Sequence, residues 1–439
     1  MSVDGSAIKV YRNGVLIGSA AMSSAMTASS NALYFGASPD PQTYYDYLTG
    51  SLDDLSLYTT ALSASTLAAH YQAGTGGSGG GGGGGTTTPA GPDQLSAIGA
   101  PESVGLSWSA VANATGYRVY QRASDGGWPT SPLTTTSATS YVVRGLSDGQ
   151  GYTYKVTAVV GGTETTESPT AQATATDNVL LAAGDIADST FRSEKTAQLL
   201  DRNAGQVLEL GDATYTDGTA SEYQNYYAPT WGRHLWRTWA VAGNHEYNTD
   251  NANPYWDYFG SAAGPRGLGY YSYDVGGWHV VVLNGNCTQV GGCNAGSTQE
   301  QWLKDDLANH PARCTLATWH QPRFTSTSPG APDSTYLDFW KDLQAAGADV
   351  VLNGHDHAYE RFAPQTPAGV ADANGIRQFT VGTGGRSEVS ASGRDPNSQI
   401  RIDDTFGILR LDLTATGYSW KFLPVDGSTK TDSGTGTCH

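Results

Sequence analysis

The sequence predicts a multidomain protein in which two β-sandwich modules, the first of them partial, precede a layered α/β domain. Three observations predict this order. Residues 74–92 form a glycine-rich stretch, GTGGSGGGGGGGTTTPAGP, which cannot pack and will act as a tether. Evenly spaced short strands follow in residues 93–176, and from residue 177 onwards short apolar runs alternate with helical stretches. The expected domains are therefore 1–73, 93–176 and 177–439, with 74–92 as the linker.

Composition limits the function classes. The chain has 439 residues, of which 38% are hydrophobic, so it can bury several ordinary cores. The formal net charge of -17 argues against a general binder of nucleic-acid polymers or anionic membranes. We find no apolar run of about 18 residues, so we expect no membrane span. The first residues, MSVDGSAIKVYRNG, lack the pattern of a secretory signal.

The four cysteines, Cys287, Cys293, Cys314 and Cys438, lie in the last third of the chain and allow three pairings. We favour Cys287 with Cys293, which closes the loop TQVGG, and Cys314 with Cys438, which ties the tail to a strand. The competing zinc site of four cysteines has no CxxC spacing to support it. Two disulfides predict an oxidising compartment and hence a secreted protein.

The N-terminal piece contains the hairpin pattern IKVYRNGVLIGSA, where Asn13-Gly14 suits a two-residue type I′ turn. Together with LYFGAS and GSLDDLSLYTTALSASTL, it resembles the second half of a laminin-G-like or concanavalin-like jelly roll. Its 73 residues are too few for that sandwich, so we expect a truncated start, and the missing portion is where a signal peptide would lie. The piece is either a glycan-binding or surface-binding module or a remnant spacer, and we favour the spacer.

Residues 93–176 show the strand patterns VGLSWSAV, GYRVYQRA, SYVVRGL and GYTYKVTAVV. This segment resembles a fibronectin type III domain. Trp108 matches the core tryptophan of that family, and Leu146 with Tyr152 matches its tyrosine corner.

Six apolar runs in the last segment, VLLAA, QVLEL, TWAVA, HVVVLN, CTLATW and DVVLN, predict buried strands, and RSEKTAQLLDRN and TQEQWLKDDLANH predict helices. Five of these strands end in side chains that can bind metal. Because such strand ends meet in one crevice of an open α/β fold, we expect these side chains to converge. In chain order they are Asp185, then Asp212 and Tyr215, then Asn244, then His320, and finally His355 and His357.

The ordered set GD, GDxxY, GNHE, His and GHxH resembles the calcineurin-like metallophosphoesterase superfamily, and Tyr215 together with HAYER is similar to purple acid phosphatases. The resemblance covers residues 177–439 and implies a four-layer α/β sandwich. It assigns Asp185, Asp212, Tyr215 and His357 to one metal ion and Asp212, Asn244, His320 and His355 to the other. A phenolate donor suits Fe(III), and the second set suits a divalent ion such as Zn, Fe or Mn.

The resemblance implies a binuclear-metal phosphoester hydrolase of the acid phosphatase type, in which metal-activated hydroxide attacks a phosphomonoester. We expect His245 to stabilise the phosphoryl group or to protonate the leaving alkoxide, although a hydrogen bond to a ligand is its alternative role. Glu246 would steady His245, and Asp356 would orient the neighbouring ligands. Arg323 and Arg386 are the expected phosphate contacts.

The remaining histidines are expected to be structural. His279 lies inside the apolar strand WHVVVLN, and we interpret it as a structural residue. His234 and His310 are interpreted as surface or packing residues.

One departure from the family pattern keeps alternatives open. Purple acid phosphatases usually carry one or two histidines where this chain has Pro329 and Gly330. A phosphodiesterase, or a phosphatase with a neutral to alkaline optimum, is therefore an alternative on the same site. The alternative from another class is a secreted adhesion or glycan-binding protein whose phosphoesterase scaffold is inactive. The expected partners are a phosphate-ester substrate and, through the N-terminal modules, a glycan or cell surface.

Overall fold

The structure is a computed structural model, and it describes residues 2–3, 7–12, 15–21, 88–327, 332–391 and 393–439. The chain divides into two compact units, residues 1–87 and 88–439. The first unit contains an antiparallel sheet of β1 (Ser2–Val3), β2 (Ala7–Arg12) and β3 (Val15–Ala21).

Arg12 on β2 pairs with Val15 on β3, which confirms the strand pairing of the predicted hairpin. The turn at Asn13-Gly14, the other predicted elements of residues 1–73 and most of the predicted linker lie outside the described residues.

Residues 95–174 form a β-sandwich of two antiparallel sheets, as predicted. One sheet has the order β4-β5-β8, and the other has the order β10-β9-β6-β7 with β11 paired to β9. The strands are β4 (Leu95–Ala100), β5 (Ser103–Trp108), β6 (Ala114–Gln121), β7 (Thr134–Thr136), β8 (Ser140–Arg144), β9 (Gly151–Val160), β10 (Thr163–Glu164) and β11 (Ala171–Thr174).

Two aromatic side chains organise this sandwich. Trp108 is buried and packs edge-on against Tyr117, with 5.6 Å between the ring centroids. The hydroxyl of Tyr152 accepts a hydrogen bond of 2.9 Å from the backbone amide of Ser147. The predicted core tryptophan and tyrosine corner are therefore confirmed.

The rest of the second unit contains two mixed sheets. The six-stranded sheet has the order β14-β13-β12-β22-β23-β24, and the seven-stranded sheet has the order β15-β16-β17-β18-β20-β19-β21. The strands are β12 (Val179–Ala183), β13 (Gln206–Glu209), β14 (Thr238–Ala240), β15 (Tyr271–Val275), β16 (Trp278–Val282), β17 (Thr315–Thr318), β18 (Val350–Asn353), β19 (Tyr359–Phe362), β20 (Arg377–Val381), β21 (Ser398–Ile402), β22 (Gly407–Thr414), β23 (Gly417–Pro424) and β24 (Ser433–Thr437).

Helices accompany both sheets, and several short 3-10 turns connect them. Among the described residues, none of the helices is both long enough and apolar enough to cross a bilayer. The α-helices are α1 (Ser193–Arg202), α2 (Ala220–Glu222), α3 (Asn253–Phe259), α4 (Thr298–Asn309) and α5 (Leu337–Ala345).

The layer order follows from which way alternate residues face. On β16, Val280 and Val282 pack in a core shared with the six-stranded sheet and α1, whereas Val281 packs in a second core. That second core contains Leu303 of α4 and Leu343 of α5. Since alternate strand residues face opposite sides of a sheet, the seven-stranded sheet lies between the other sheet and these two helices. This order of helices, sheet and sheet agrees with the predicted α/β sandwich.

The sheets place the candidate ligands at one edge. β12, β13 and β14 are parallel neighbours in one sheet, and β17 and β18 are parallel neighbours in the other. Each of these five strands is one of the six apolar runs, because a strand that is covered on both faces needs apolar side chains throughout. Their carboxyl ends precede every predicted metal ligand.

Both predicted disulfides are present. Cys287 and Cys293 are linked with 5.2 Å between their Cα atoms, and Cys314 and Cys438 are linked with 5.4 Å. The second bond closes a loop with a sequence separation of 124 residues. A cross-link across so long a loop removes much of the entropy of the unfolded chain.

The β-sandwich contacts the α/β region directly. The backbone amide of Gly205 donates a hydrogen bond of 2.8 Å to the carbonyl oxygen of Gly99. The indole of Trp236 covers Gly105 so closely that a Cβ atom at that glycine would lie 2.4 Å from the ring. Glycine at this position therefore allows the two parts to pack together.

A partly buried carboxyl group on α5, that of Asp342, predicts a pH-dependent stability. Burial, and then the nearby Glu300 of α4, raise the pKa of Asp342 to about 6. The folded state therefore binds this proton more tightly than the unfolded state, so the group's contribution to stability is lost as pH rises through about 4 to 6. We expect Asp342→Asn to raise the Tm at pH 8 by about 2–4 °C, from a gain of about 1 kcal/mol after discounting for solvent exposure. At pH 4 the gain should disappear.

Thermal unfolding at the two pH values measures this difference. Asp338→Asn on the same helix is the control, because Lys341 stabilises that carboxylate and holds its pKa below the ordinary value. The control should show no gain at pH 8, and an equal gain from Asp342→Asn at both pH values would contradict the assignment.

Candidate metal centre

The candidate ligands lie on tight turns that directly follow the strand ends. Asp185, Asp212 and His355 have positive φ angles of 60°, 54° and 70°. This left-handed conformation is uncommon for residues other than glycine and is concentrated at functional sites. Three of the seven predicted ligands therefore have a backbone conformation that the surrounding fold must enforce.

The first group of side chains surrounds the phenol of Tyr215. Its hydroxyl lies 2.7 Å from Asp185 Oδ1, 3.0 Å from Asp212 Oδ2 and 3.3 Å from His357 Nε2. His357 Nε2 is itself 3.2 Å from Asp185 Oδ1. The structure thus brings together the four residues that were predicted to share one metal ion.

The second group shares the Asp212 carboxylate with the first. Asp212, His320 and His355 each offer a donor atom, and these three atoms lie within 4.8 Å of one another. His320 Nε2 is 3.1 Å from Asp212 Oδ2, and the rings of His320 and His355 are 5.2 Å apart. Asp212 therefore contacts members of both groups, and its predicted bridging of two ions stays a prediction.

Hydrogen bonds from the opposite ring nitrogens orient two of the histidines. His320 Nδ1 lies 2.7 Å from the carbonyl oxygen of Leu210, which can only accept a hydrogen bond. His357 Nδ1 lies 2.6 Å from the hydroxyl of Ser387. In each case Nε2 is left to face a carboxylate, which is the arrangement that metal-binding histidines commonly adopt.

Two buried atoms test whether the residues fit a metal. Among the described residues, Asn244 Oδ1 and His320 Nε2 have no aligned hydrogen-bond partner, although both are shielded from solvent. Buried polar atoms are rarely left without a partner because the loss of hydration is costly. Carboxylate, phenol, amide and imidazole donors next to such atoms fit a metal centre of nitrogen and oxygen ligands.

The ionisable side chains of the cluster shift one another's pKa values. Burial alone would lower the pKa of His320, but Asp212 and Asp185 outweigh it and raise that pKa to about 10. Burial alone would likewise raise the pKa of Asp185, but the nearby His357 holds it well below its ordinary value. Burial and both carboxylates raise the pKa of Tyr215 well above the ordinary value. These anionic carboxylates provide the negative charge that a cation would neutralise.

The buried carboxylate of Glu246 holds backbone amides beside the candidate ligands. Its carboxylate is fully buried and accepts hydrogen bonds from the backbone amides of Asp212 at 3.0 Å, Ala213 at 3.0 Å and Gly243 at 2.8 Å. It also accepts a hydrogen bond from the hydroxyl of Tyr223. The hydrogen bonds described for the Glu246 carboxylate go to these amides and to Tyr223, so its predicted role in steadying His245 stays a prediction. Through these amides Glu246 fixes the turns that carry Asp212 and Asn244.

His245 lies at the open side of the cluster. Its side chain is one-quarter exposed, and its Nε2 is 3.9 Å from Asp212 Oδ2. Its Nδ1 lies 2.5 Å from the carbonyl oxygen of Thr216, and its ring is 4.5 Å from that of Tyr215. The predicted substrate-facing role of His245 stays a prediction, and its position beside the cluster is consistent with it.

The two arginines differ in their surroundings. The guanidinium of Arg386 lies 4.8 Å from the centre of the Tyr215 ring and forms an ion pair of 2.5 Å with Asp188. Arg323 is buried, and its guanidinium donates hydrogen bonds to the carbonyl oxygens of Pro367 and Asp333. Arg386 therefore borders the cluster, whereas Arg323 holds loop backbone, and phosphate binding by either stays a prediction.

Asp356 and the other histidines have structural partners. The carboxylate of Asp356 accepts a hydrogen bond from the hydroxyl of Thr325, so its predicted orienting role stays a prediction. His279 is buried, as expected, and lies 2.9 Å from Asp306. His234 is buried against Asp201, which agrees with a packing role.

Sequence reasoning missed the residues that support the ligands from outside the motifs. Ser387, Thr216 and Asp188 contact His357, His245 and Arg386, respectively. The only sequence signal for Ser387 is its place directly after the arginine of GTGGRS. Thr216 acts through its backbone carbonyl, which no side-chain pattern reveals.

Comparison with known families gives the same assignment for three parts of the chain. Residues 150–359 match the family described as calcineurin-like phosphoesterase. Residues 90–174 match the fibronectin type III domain, and residues 1–68 match the concanavalin A-like lectin/glucanases superfamily.

Residues 150–359 are therefore similar to a calcineurin-like phosphoesterase domain.

The curated relatives of the chain include purple acid phosphatases. Purple acid phosphatase 15 of Arabidopsis thaliana is 25% identical over 286 residues, which cover 55% of this chain and 51% of that protein. Probable purple acid phosphatase 20 of the same plant is 29% identical over 243 residues, which cover 48% of this chain and 56% of that protein. The chain thus spans about half the length of these curated relatives.

A solved structure shows the same fold. The purple acid phosphatase from seeds of yellow lupin (Lupinus luteus) matches with a TM-score of 0.54 and 18% identity. The match covers 80% of this chain and 74% of the lupin protein. The phosphoesterase domain and its preceding β-sandwich therefore follow the architecture of that enzyme.

Gly243 lies so close to Asp212 that there is no room for a side chain between them. A Cβ atom at this position would lie 2.2 Å from Asp212 Oδ1 and 2.3 Å from its backbone nitrogen. We expect Gly243→Ala to displace the Asp212 turn, to lower the free energy of unfolding by about 1–3 kcal/mol and to reduce the metal bound per chain. Thermal unfolding and elemental analysis measure both effects.

Gly151→Ala is the matched control, because its nearest neighbouring atom would lie 3.9 Å from the new Cβ. The control should keep both the stability and the metal content of the unsubstituted protein. Full metal content in Gly243→Ala would show that the Asp212 turn tolerates a wider spacing than the structure indicates.

Proposed function

We propose that the chain is a phosphoester hydrolase that uses two metal ions bound on either side of Asp212 and cleaves phosphomonoesters. One observation carries the proposal: the carboxylate of Asp212 lies within 3.1 Å of Tyr215 in the first group and of His320 in the second. A carboxylate shared by two donor groups is suited to bridging two ions. The purple acid phosphatase relatives support the same activity.

The two groups differ in chemistry, which supports two different ions. Asp185, Asp212, Tyr215 and His357 include a phenol, whose anion is a hard donor that suits Fe(III). Asp212, Asn244, His320 and His355 suit a divalent ion such as Zn, Fe or Mn. When bound, such a pair of ions would draw charge from the phosphoryl oxygens and make water nucleophilic.

His245 is the residue of this chain that we assign to the substrate. The carbonyl oxygen of Thr216 can only accept a hydrogen bond, so the short contact places a proton on His245 Nδ1. Nε2 is then the nitrogen at the open side of the cluster, and in the imidazolium form its proton can be donated to the phosphoryl group or to the leaving oxygen. The exposed quarter of the side chain leaves room for that contact.

Arg386 is the second candidate substrate contact. Its ion pair with Asp188 fixes the guanidinium above Tyr215, and about one-third of the side chain is exposed. A fixed guanidinium beside the cluster is suited to binding a phosphate oxygen. The buried Arg323 has fewer free N–H groups for binding phosphate, since two carbonyl oxygens already accept its hydrogen bonds.

The sequence difference at Pro329 and Gly330 favours a second candidate on the same site. A purple acid phosphatase would usually have substrate-binding histidines there, and both positions lie outside the described residues. A phosphodiesterase, or a phosphatase with a neutral to alkaline optimum, would not need them. The two disulfides support a secreted enzyme, and the match to a lectin-like family supports glycan binding by the N-terminal piece.

Metal content and hydrolysis, measured together, test the proposal. We expect about two ions per chain, and hydrolysis of p-nitrophenyl phosphate that a chelator abolishes and added iron and zinc restore. Bis(p-nitrophenyl) phosphate, assayed in parallel across pH, distinguishes a diesterase. A folded protein that binds no metal and hydrolyses neither ester would instead be an inactive scaffold.

Tyr215 gives a spectroscopic prediction that does not depend on activity. If its phenolate binds Fe(III), the iron-loaded protein should absorb visible light, and Tyr215→Phe should abolish that band while the protein stays folded. Tyr227→Phe is the matched control, because Tyr227 is equally buried and lies outside the ligand groups. A band that persists in Tyr215→Phe would remove Tyr215 from the ligand set.

A further inference from the structure

A second cluster of metal-binding side chains lies elsewhere in the phosphoesterase domain. It consists of His279 on β16 and of Asp306 and His310 at the end of α4. One ring nitrogen of each histidine and one carboxylate oxygen of Asp306 lie within 4.8 Å of one another. We call this group the His279 cluster.

The His279 cluster is separate from the candidate metal centre. His279 pairs with Thr315, the first residue of β17, whereas the ligand His320 follows the last residue of that strand. At about 3.3 Å per residue, the five residues from Thr315 to His320 span about 16 Å. The cluster therefore lies at the opposite end of the seven-stranded sheet.

His279 is held by a carboxylate on each side of its ring. Asp274 Oδ1 is 3.0 Å from Nδ1, and Asp306 Oδ2 is 2.9 Å from Nε2. The imidazole itself is only 2% exposed. A carboxylate behind one ring nitrogen orients the other toward a metal in many metal sites, and Asp274 is placed to do so here.

Asp306 provides an ionised oxygen donor. Burial alone would raise its pKa, but hydrogen bonds from His279 and Ser272 outweigh burial and hold that pKa below its ordinary value. The hydroxyl of Ser272 donates to Oδ1 at 2.7 Å. Asp306 is therefore a fixed, charged side chain between the two histidines.

His310 completes the cluster from the end of α4, four residues after Asp306. Its Nδ1 is 3.2 Å from Asp306 Oδ1, and its ring stacks on that of His279 with centroids 5.1 Å apart and 19° between the planes. About half of its side chain is exposed, so water can reach the remaining positions around an ion.

We propose that His279, Asp306 and His310 bind one divalent transition-metal ion of the zinc type, separate from the candidate metal centre. Zinc accepts two imidazole nitrogens and a carboxylate oxygen at about 2.0–2.2 Å, which places neighbouring donors roughly 3.4 Å apart in a tetrahedron. The 2.9 Å contact joins His279 Nε2 to Asp306 Oδ2, and the 3.2 Å contact joins His310 Nδ1 to Asp306 Oδ1. Each histidine thus meets a different oxygen of the carboxylate at close to that spacing.

Binding replaces the proton shared by His279 Nε2 and Asp306, and that proton is released to the solvent. The proton that His310 Nδ1 donates to the carbonyl oxygen of Asp306 moves to Nε2 of the same ring, so that Nδ1 can bind the ion. The ion would link the end of α4 to β16. It has no step in the hydrolysis, so the inference does not rest on the proposed function. The alternative for the same residues is an ion-paired cluster that holds protons alone.

Equilibrium dialysis of the full chain against increasing free zinc tests the inference. We compare the unsubstituted protein with His310→Ala, whose exposed side chain can be removed without opening a core. The variant should bind one zinc ion fewer per chain and should keep its rate of p-nitrophenyl phosphate hydrolysis. Identical zinc isotherms for the two proteins would overturn the proposal and identify an ion-paired cluster.

His439→Ala is the matched control. His439 Nδ1 is 3.1 Å from Asp349, so this variant also removes a histidine beside a carboxylate, but one that is not in a described group with a second histidine. It should keep the full zinc isotherm. Circular dichroism of all three proteins confirms that each is folded, and an equal loss of zinc in both variants would also count against the His279 cluster.

Discussion

The position of one buried carboxylate determines the rest of the candidate centre. Asp212 is 2% exposed, and its Oδ2 atom lies within hydrogen-bond distance of Tyr215 and His320, which come from different sheets. Its Oδ1 atom accepts the backbone amide of His245. Such a desolvated anion is costly unless positive charge or several donors compensate for it, and the surrounding turns provide both.

Hydrogen bonds to a second buried carboxylate keep the Asp212 carboxylate in place. The carboxylate of Glu246 accepts three backbone amides from the turns after β13 and β14, and Gly243 lets those turns approach within contact distance. Burial, followed by the charge of Asp212, raises the pKa of Glu246 to about 7. The cost of burying this second carboxyl group indicates that the geometry of the turns matters more than their stability.

Much of this arrangement could be predicted from the sequence, because buried parallel strands require continuous apolar runs. VLLAA, QVLEL and DVVLN stand out for that reason, and the residues that follow them become candidate ligands as soon as the strands are taken to be neighbours. The helix LDFWKDLQA at residues 337–345 was not predicted, because it is short and its tertiary contacts decide its existence.

The missed features all depend on contacts between distant segments. The motif GNHE shows that Glu246 follows His245, but it does not show which groups its carboxylate contacts. The hydrogen bonds to the backbone amides of Asp212, Ala213 and Gly243 become visible only in the fold. The same holds for Arg323, whose burial against Pro367 is set by a loop 44 residues away. From the sequence, His279 is interpreted as a structural residue of an apolar strand. Its partner Asp306 is 27 residues further along the chain, so the sequence pattern does not reveal the pair.

The most direct measurement of the central claim is anomalous X-ray diffraction from crystals grown with iron and zinc, recorded at the absorption edges of both metals. Two anomalous peaks should flank Asp212, one beside Tyr215 and the other beside His320. A single peak, or a pair of peaks from which Asp212 is turned away, would show that this carboxylate does not join two ions.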